Sequence, residues 1–322
     1  AVASIGKRGL VRVLFPLVFA LWASSALAAE GSAEDLPWAR RPYRLSASVG
    51  FSADPEFTSE YRRAVRSELE SAGRRHFRAS WNFAVREAGN DDPKTVDELN
   101  RLSLEDDLFQ MAEQDQRFWI VVHRSGSRYL ISARTWHAST NELGPVVTAE
   151  TFDRDGVAPF AGDILRRLFQ PLLEIEDIAD ESVTLTLRAG ELVPEGAEAA
   201  SVQPGDILLP FFRYVDRRGT VQRVQMIPWT YLTVQEIGRG KATAVLATGV
   251  RSPLGSSKRR NVELLAIRMR PPAMSTTLTL TPRGFPQRPL VAHPVVVTDI
   301  RPGAQDSGPL AQRSIGTGED RP

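Results

Sequence analysis

Polar and apolar residues alternate through Tyr43–Phe51, "YRLSASVGF", and then the period changes. Alternation at every second residue predicts a strand. In "DPEFTSEYRRAVRSELESAG" the apolar residues Phe57, Tyr61, Val65, Leu69 and Ala72 recur at helical spacing. Asp54 or Thr58 can cap this helix, Pro55 is tolerated in a first turn, and Gly73 is read as its stop. "SWNFAVREA" reads as a second strand. "TVDELNRLSLEDDLFQMAEQ" reads as helical, with capping boxes at Thr95/Glu98 and Ser103/Asp106 that would divide it into two short helices. Three strands follow: "RFWIVVH", "RYLISARTW" and "GPVVTAETF". The helix "GVAPFAGDILRRLF" carries Val157, Phe160, Ile164 and Leu168 on one face, and Pro171 ends it. The predicted order from residue 43 to 178 is β-α-β-α-β-β-β-α, an α+β domain with helices layered on a mixed sheet.

Beyond "EIEDIADES" no helical period occurs. "VTLTLRAG", "DILLPFFRYVD", "VQRVQMIPWTYLTVQEIG", "KATAVLATGV" and "NVELLAIRMR" are strands divided by Gly, Pro and charged turns. That spacing predicts a small antiparallel β-barrel over 182–270. After the linker "PPAMS", the stretches "TTLTLTPRG" and "PLVAHPVVVTDI" begin a partial β-sandwich over 275–300. The Gly/Pro/Ser/Asp-rich tail 301–322 is expected to be disordered.

The N-terminal "GKRGLVRVLFPLVFALWASSALAAE" changes the compartment. Lys7, Arg8 and Arg12 precede an apolar run from Val13 to Trp22, and Ala26-Leu27-Ala28 follows as an A-x-A site. These are the three parts of a secretory signal peptide over 1–28. The apolar run is shorter than the ~20 residues of a membrane-spanning helix. The expected product is exported, periplasmic or extracellular, with no membrane span after cleavage and a linker at 29–42. Removing the signal takes Lys7, Arg8 and Arg12 from the 40 basic residues and leaves 37 against 39 acidic, a net charge of −2. Such a balance gives no bulk field for nucleic acid. The absence of cysteine excludes a lipobox, disulfides and thiolate metal sites.

The stretches "LSASVGF", "WNFAVRE" and "YLISARTWHASTNELGPVVTAE", with the helix around Tyr61–Ala72 and the closing helix, resemble the TolB amino-terminal and curli-secretion (CsgG-type) class of envelope domains. "LRAGELVPEG…VQPGDILLPFFR" is similar to the small β-barrel that follows such a domain in the FlgT flagellar basal-body layout. The resemblance covers residues 43 to about 270. It carries no catalytic residues and implies protein–protein assembly in the cell envelope. The same layout looks like that of uncharacterised secreted bacterial proteins.

Candidate chemistry begins with "FWIVVHRSGSRYLISARTWHAST", which holds His123 and His137. A two-residue turn at Ser125-Gly126 would pair His123 with Arg128 and set His137 opposite Gln114. At ~3.3 Å per residue the two histidines are then roughly 30 Å apart and on opposite faces, so they cannot share a metal or a proton relay. Each is expected to be a surface or edge histidine. His76 sits at a helix end among arginines, and His293 lies far off in sequence. No metalloprotease or nucleophile-elbow motif occurs. "GRGKAT" at 238–243 lacks the first glycine and the metal-binding hydroxyl of a phosphate loop and reads as a hairpin turn.

Acidic clusters read as structural: Asp91-Asp92 before Pro93 as a turn, Glu105, Asp106 and Asp107 as a helix first turn, and Glu174, Glu176 and Asp177 as a domain junction. Arg62, Arg63 and Arg66 alternate with Glu60, Glu68 and Glu70 on a solvated face. Arg74, Arg75 and Arg78, and Lys258-Arg259-Arg260, are short basic runs that could touch anionic glycans. Trp119, Trp136 and Trp229 are expected in core or cross-strand packing, with sugar stacking as the alternative.

No catalytic, cofactor-binding or metal residue is assigned. The expected function is a non-catalytic exported scaffold for assembly or adhesion, with envelope proteins as partners. The alternatives are a carbohydrate- or peptidoglycan-binding protein and an enzyme whose site is not visible in the sequence.

Overall fold

The computed structural model describes residues 36–103, 114–192, 202–217, 220–249, 254, 261–269, 294–298 and 309–314. The first sheet contains β1 (Tyr43–Phe51), β2 (Trp81–Glu87), β3 (Gln116–Ser125), β4 (Arg128–His137), β5 (Glu142–Leu143) and β6 (Val147–Thr151). Its order is β2-β1-β3-β4, with β5 and β6 both paired to β4. β1 is central and runs parallel to β2 and β3, whereas β4 is antiparallel to β3 and β6. This is the mixed sheet with helices that the element order predicts.

Strand alternation sends Phe118, Ile120 and Val122 to one face and Trp119 and Val121 to the other. The first face is covered by α1 (Ser59–Phe77) and α3 (Val157–Leu168), which also pack on each other. The second is covered by Leu99 of α2 (Val96–Arg101), beside Trp119 and Trp136. Thr58 caps α1 by accepting the Tyr61 N–H, and Thr95 and Glu98 form the expected capping box on α2. Residue 106, in the second expected box, lies outside the described residues, as do Glu105, Asp107 and the signal segment 1–28.

Gly73 does not stop α1. The helix runs on to Phe77, and Arg78, at φ 46°, sits at its C-cap. The glycine serves contact instead: a Cβ there would stand 2.5 Å from the Phe83 ring. Phe160 is also misplaced by periodicity. The buried face of α3 is Val157, Ala158, Ala161, Ile164, Leu165 and Leu168, and Phe160 is 39% exposed.

A closed six-strand antiparallel barrel follows. It runs β9 (Ile207–Val215), β11 (Thr230–Gly238), β12 (Lys241–Thr248), β8 (Ser182–Leu187), β7 (Leu172–Ala179) and β13 (Val262–Arg268), and β13 pairs back to β9. β10 (Val221–Met226) pairs with β9 outside this ring. Val183, Leu185, Leu208, Leu232, Val234, Ala242 and Ala244 fill its interior, as side chains do in small barrels. Glu174, Glu176 and Asp177, read as flanking a domain junction, lie on the barrel strand β7 itself. Glu176 is bonded to Lys241 and Thr186.

The barrel is not a separate body. Phe211, Leu265 and Ile267 of its strands belong to the same buried cluster as Leu45, Phe118 and Phe169 of the first sheet and its helices. The final part of the expected linker is also fixed: a 3-10 turn at Trp38–Arg40 accepts the Ala189 and Glu191 N–H groups at 3.1 and 2.9 Å. Of the expected partial sandwich over 275–300 only β14 (Pro294–Thr298) lies among the described residues, and it pairs antiparallel with β15 (Pro309–Ser314). β15 falls in the tail expected to be disordered.

Candidate functional site

The first-sheet end that faces the barrel is made by the start of β1, the start of β3 and the end of β4. Between it and the barrel lies a cleft of about 340 Å³. This end carries the N-terminal ends of the parallel strands, the opposite end from the usual ligand crevice of an open α/β sheet.

Asp115, just before β3, and Arg188, just after β8, join the two sides. Both guanidinium Nη atoms reach the carboxylate, at 2.7 and 2.6 Å, and Nη2 also donates to the Pro42 carbonyl at 3.1 Å. The Asp115 carboxylate further accepts the Arg44 N–H at 2.7 Å. The Arg188 guanidinium carbon lies 5.4 Å from the Trp38 ring centre and 5.0 Å from that of Tyr43. Bidentate pairing and ring contact together fix its position. Tyr43 Oη accepts the Leu172 N–H at 2.9 Å, and burial pushes its hydroxyl pKa strongly up, so it stays protonated. Arg213 pairs with Glu263 at the barrel side. The cleft's ionisable side chains are thus engaged in structural contacts, with neither a nucleophile–base pair nor a paired-carboxylate geometry among them.

The histidines do not meet. The turn is Gly126-Ser127, with Gly126 at φ 62°, which shifts the expected register by two residues. His123 pairs with Leu130 and His137 with Gln116. An even shift preserves the facing, so the two remain on opposite faces. His123 is exposed, but His137 is 3% exposed and corrects the surface assignment. Both its ring nitrogens lack a hydrogen-bond partner, and burial lowers its pKa to about 3. His76 is exposed near the end of α1, and His293 lies outside the described residues. No group of three His, Asp or Glu residues suited to a metal ion occurs among the described residues.

Asp92 is more than a turn residue. It is 7% exposed and accepts from the Gly89 N–H, Trp119 Nε1, Arg86 and Arg117. Burial opposes its charge, but the hydrogen bonds from Arg86 and Gly89 and the charges of Arg86 and Arg117 hold its pKa below the usual carboxylate value. Arg62 and Arg66 reach across to Glu87 on β2, and Arg74 pairs with Glu70. "GRGKAT" is the β11–β12 hairpin. Trp119 and Trp136 are buried as expected, but Trp229 is 79% exposed on the β10–β11 turn at φ 56°. Residues 258–260 lie outside the described residues.

Apolar exposure also occurs on the first sheet. β6 is an edge strand, paired only with β4 among the described residues, and Phe152 directly after it is 69% exposed.

The chain has distant structural similarity to several solved proteins. TolB from Acinetobacter baumannii aligns at 8% identity with a TM-score of 0.25, over 62% of this chain and 57% of that one. The PelC dodecamer protein from Paraburkholderia phytofirmans aligns at 10% identity and TM-score 0.22, over 40% of this chain and 89% of that one. Lipoprotein GNA1162 from Neisseria meningitidis aligns at 15% identity and TM-score 0.20, over 34% and 80%. The match thus spans little more than half the length of TolB. No family model and no curated protein matches the chain by sequence. No helix among the described residues is long and apolar enough to cross a membrane.

Proposed function

We propose that this protein is a non-catalytic exported scaffold that acts by protein–protein contact in the periplasm or cell envelope. The observation that carries the reading is the outer edge of β6, which has no strand partner among the described residues and ends at exposed Phe152. An unpaired edge offers main-chain donors and acceptors to an incoming strand, and a neighbouring aromatic offers an anchor. The other edge, β2, is less available because Arg86 and Glu87 at its end are held in ion pairs. The signal-peptide pattern in residues 1–28 supports export.

The test is site-specific photo-crosslinking in whole cells. A crosslinker at Thr148 on β6 is expected to trap a defined protein partner, one at Asn82 on β2 is not, and Phe152→Asp is expected to abolish the Thr148 product. Equal labelling from both edges, or a Thr148 product indifferent to Phe152→Asp, overturns the reading.

A further inference from the structure

α1 and α3 pack on each other, α1 over β2 and α3 over β4 and β6. Gly162 lies on the α1 side of α3, where an added Cβ would stand 4.0 Å from Ala72 and Leu69. Phe160, two residues earlier, is rotated by ~200° about the helix axis. It therefore points away from α1, over the outer side of β6, which accounts for its 39% exposure. Phe152, 69% exposed, stands at the end of the same strand. Two large apolar side chains thus border an edge that has no strand partner among the described residues.

β6 carries few of the devices that discourage edge pairing. "VTAET" holds neither proline nor lysine, and its register with β4 has no bulge. Its one charge, Glu150, is matched by Arg128. A second copy of the chain can add to this edge antiparallel, about a two-fold axis normal to the sheet. Paired residues must then face the same side, so the axis passes through a residue and not between two. Centred on Glu150, the pairing would set two carboxylates directly opposite each other. Centred on Thr148, it would set Thr151 against Pro145, outside the strand. Centred on Ala149, it pairs all five residues of β6 and sets Glu150 against Thr148 of the second copy. Phe152 then comes opposite Val146, which already packs on the cluster of Leu99, Trp119 and Trp136.

The helix layer fits the same arrangement. Neighbouring strands lie ~4.8 Å apart. Helices above each β4–β6 pair therefore stand about 10 Å apart across the axis, an ordinary separation for packed helices. The two flanks that carry Phe160 face each other. A partner that supplied a strand alone would leave this ring in water.

We propose that the β6 edge joins two copies of this chain in a two-fold dimer with one continuous sheet, centred on Ala149. The inference rests on the assembly reading of this edge and names its partner.

The experiment is sedimentation of the purified full chain over a range of concentrations. A monomer–dimer equilibrium is expected, with Kd on the order of 10–100 µM, because a five-residue edge and one helix flank make less than a standard interface. Phe160→Asp, at an exposed position, should raise Kd tenfold or more while circular dichroism stays unchanged. The chain has no cysteine, so Thr148→Cys supplies a single thiol. Its two copies would lie diagonally, ~7–8 Å apart, and a bis-maleimide of that span should give a covalent dimer. Asn82→Cys on β2 should not. A chain still monomeric at about 1 mM, ten times the weakest expected Kd, overturns the proposal. So does a dimer that Phe160→Asp leaves intact, or one that crosslinks equally well through Asn82→Cys. If Thr148 in whole cells then traps a different protein, the dimer falls and the assembly reading stands. If Thr148 traps nothing and the purified chain is monomeric, both fall.

Discussion

Arg188 and Asp115 lie 73 positions apart in sequence and form a two-point ion pair that ties the barrel to the first sheet. The Arg188 side chain is 7% exposed and that of Asp115 18%. Removing one partner leaves a nearly buried charge unpaired. Asp115→Leu or Arg188→Met is expected to cost about 3–5 kcal/mol, measured by urea denaturation, whereas the double substitution should recover a large part of that loss.

Gly73→Ala tests whether the glycine is needed for contact or for termination. The added Cβ would meet the Phe83 ring at 2.5 Å, and that ring is itself buried among Trp81 and Phe77. Destabilisation of about 1–3 kcal/mol is expected. Phe83→Leu should rescue part of it. A gain in stability from Gly73→Ala, as ordinary helix propensity would give, is the contrary outcome.

Trp229 carries the reverse expectation. A bulky L-residue in the left-handed region costs roughly 1–2 kcal/mol, and this one is 79% exposed. Trp229→Gly should raise stability by about 1 kcal/mol in urea denaturation. A clear loss would show that the indole packs against something in solution.

His137 sets an acid limit. Its folded-state pKa is about 3 against an ordinary 6.5, so the unfolded chain takes up a proton in that interval and the folded chain does not. Stability contributed by the neutral ring is full above pH 6.5 and is lost as pH falls towards 3, at roughly 1.4 kcal/mol per pH unit at most. Glu142, its cross-strand neighbour, has a pKa raised by burial and works in the opposite sense near its own range. His137→Leu should flatten the decline in melting temperature between pH 6 and 4.5. An unchanged slope would remove His137 as its cause.

The element order was legible because side-chain period is a local property. The β-α-β-α-βββ-α series and most barrel strands needed only neighbours in sequence to declare themselves. β7 hid because Glu174, Glu176 and Asp177 mark it as polar, although Leu173 and Ile175 between them keep the alternation and are buried. The hairpin register slipped by two because Gly126 fits either central turn position by composition, and only its φ decides. Burial of His137 was not readable. Its strand neighbours suit an edge as well as a core, and the short strand β5, which pairs Glu142 with His137, has no period of its own to announce it. The cleft was invisible because Trp38, Asp115 and Arg188 share no spacing, and tertiary packing alone brings them together.

The common cluster that holds Phe211, Leu265 and Ile267 beside Leu45, Phe118 and Phe169 has a consequence for descent as well as for folding. A recombination event that carried the barrel without the sheet would strand these three apolar side chains in water, and the sheet would lose its floor. The two halves are therefore a single heritable module, and a calorimetric scan of either fragment alone should lack the cooperative transition of the joined pair.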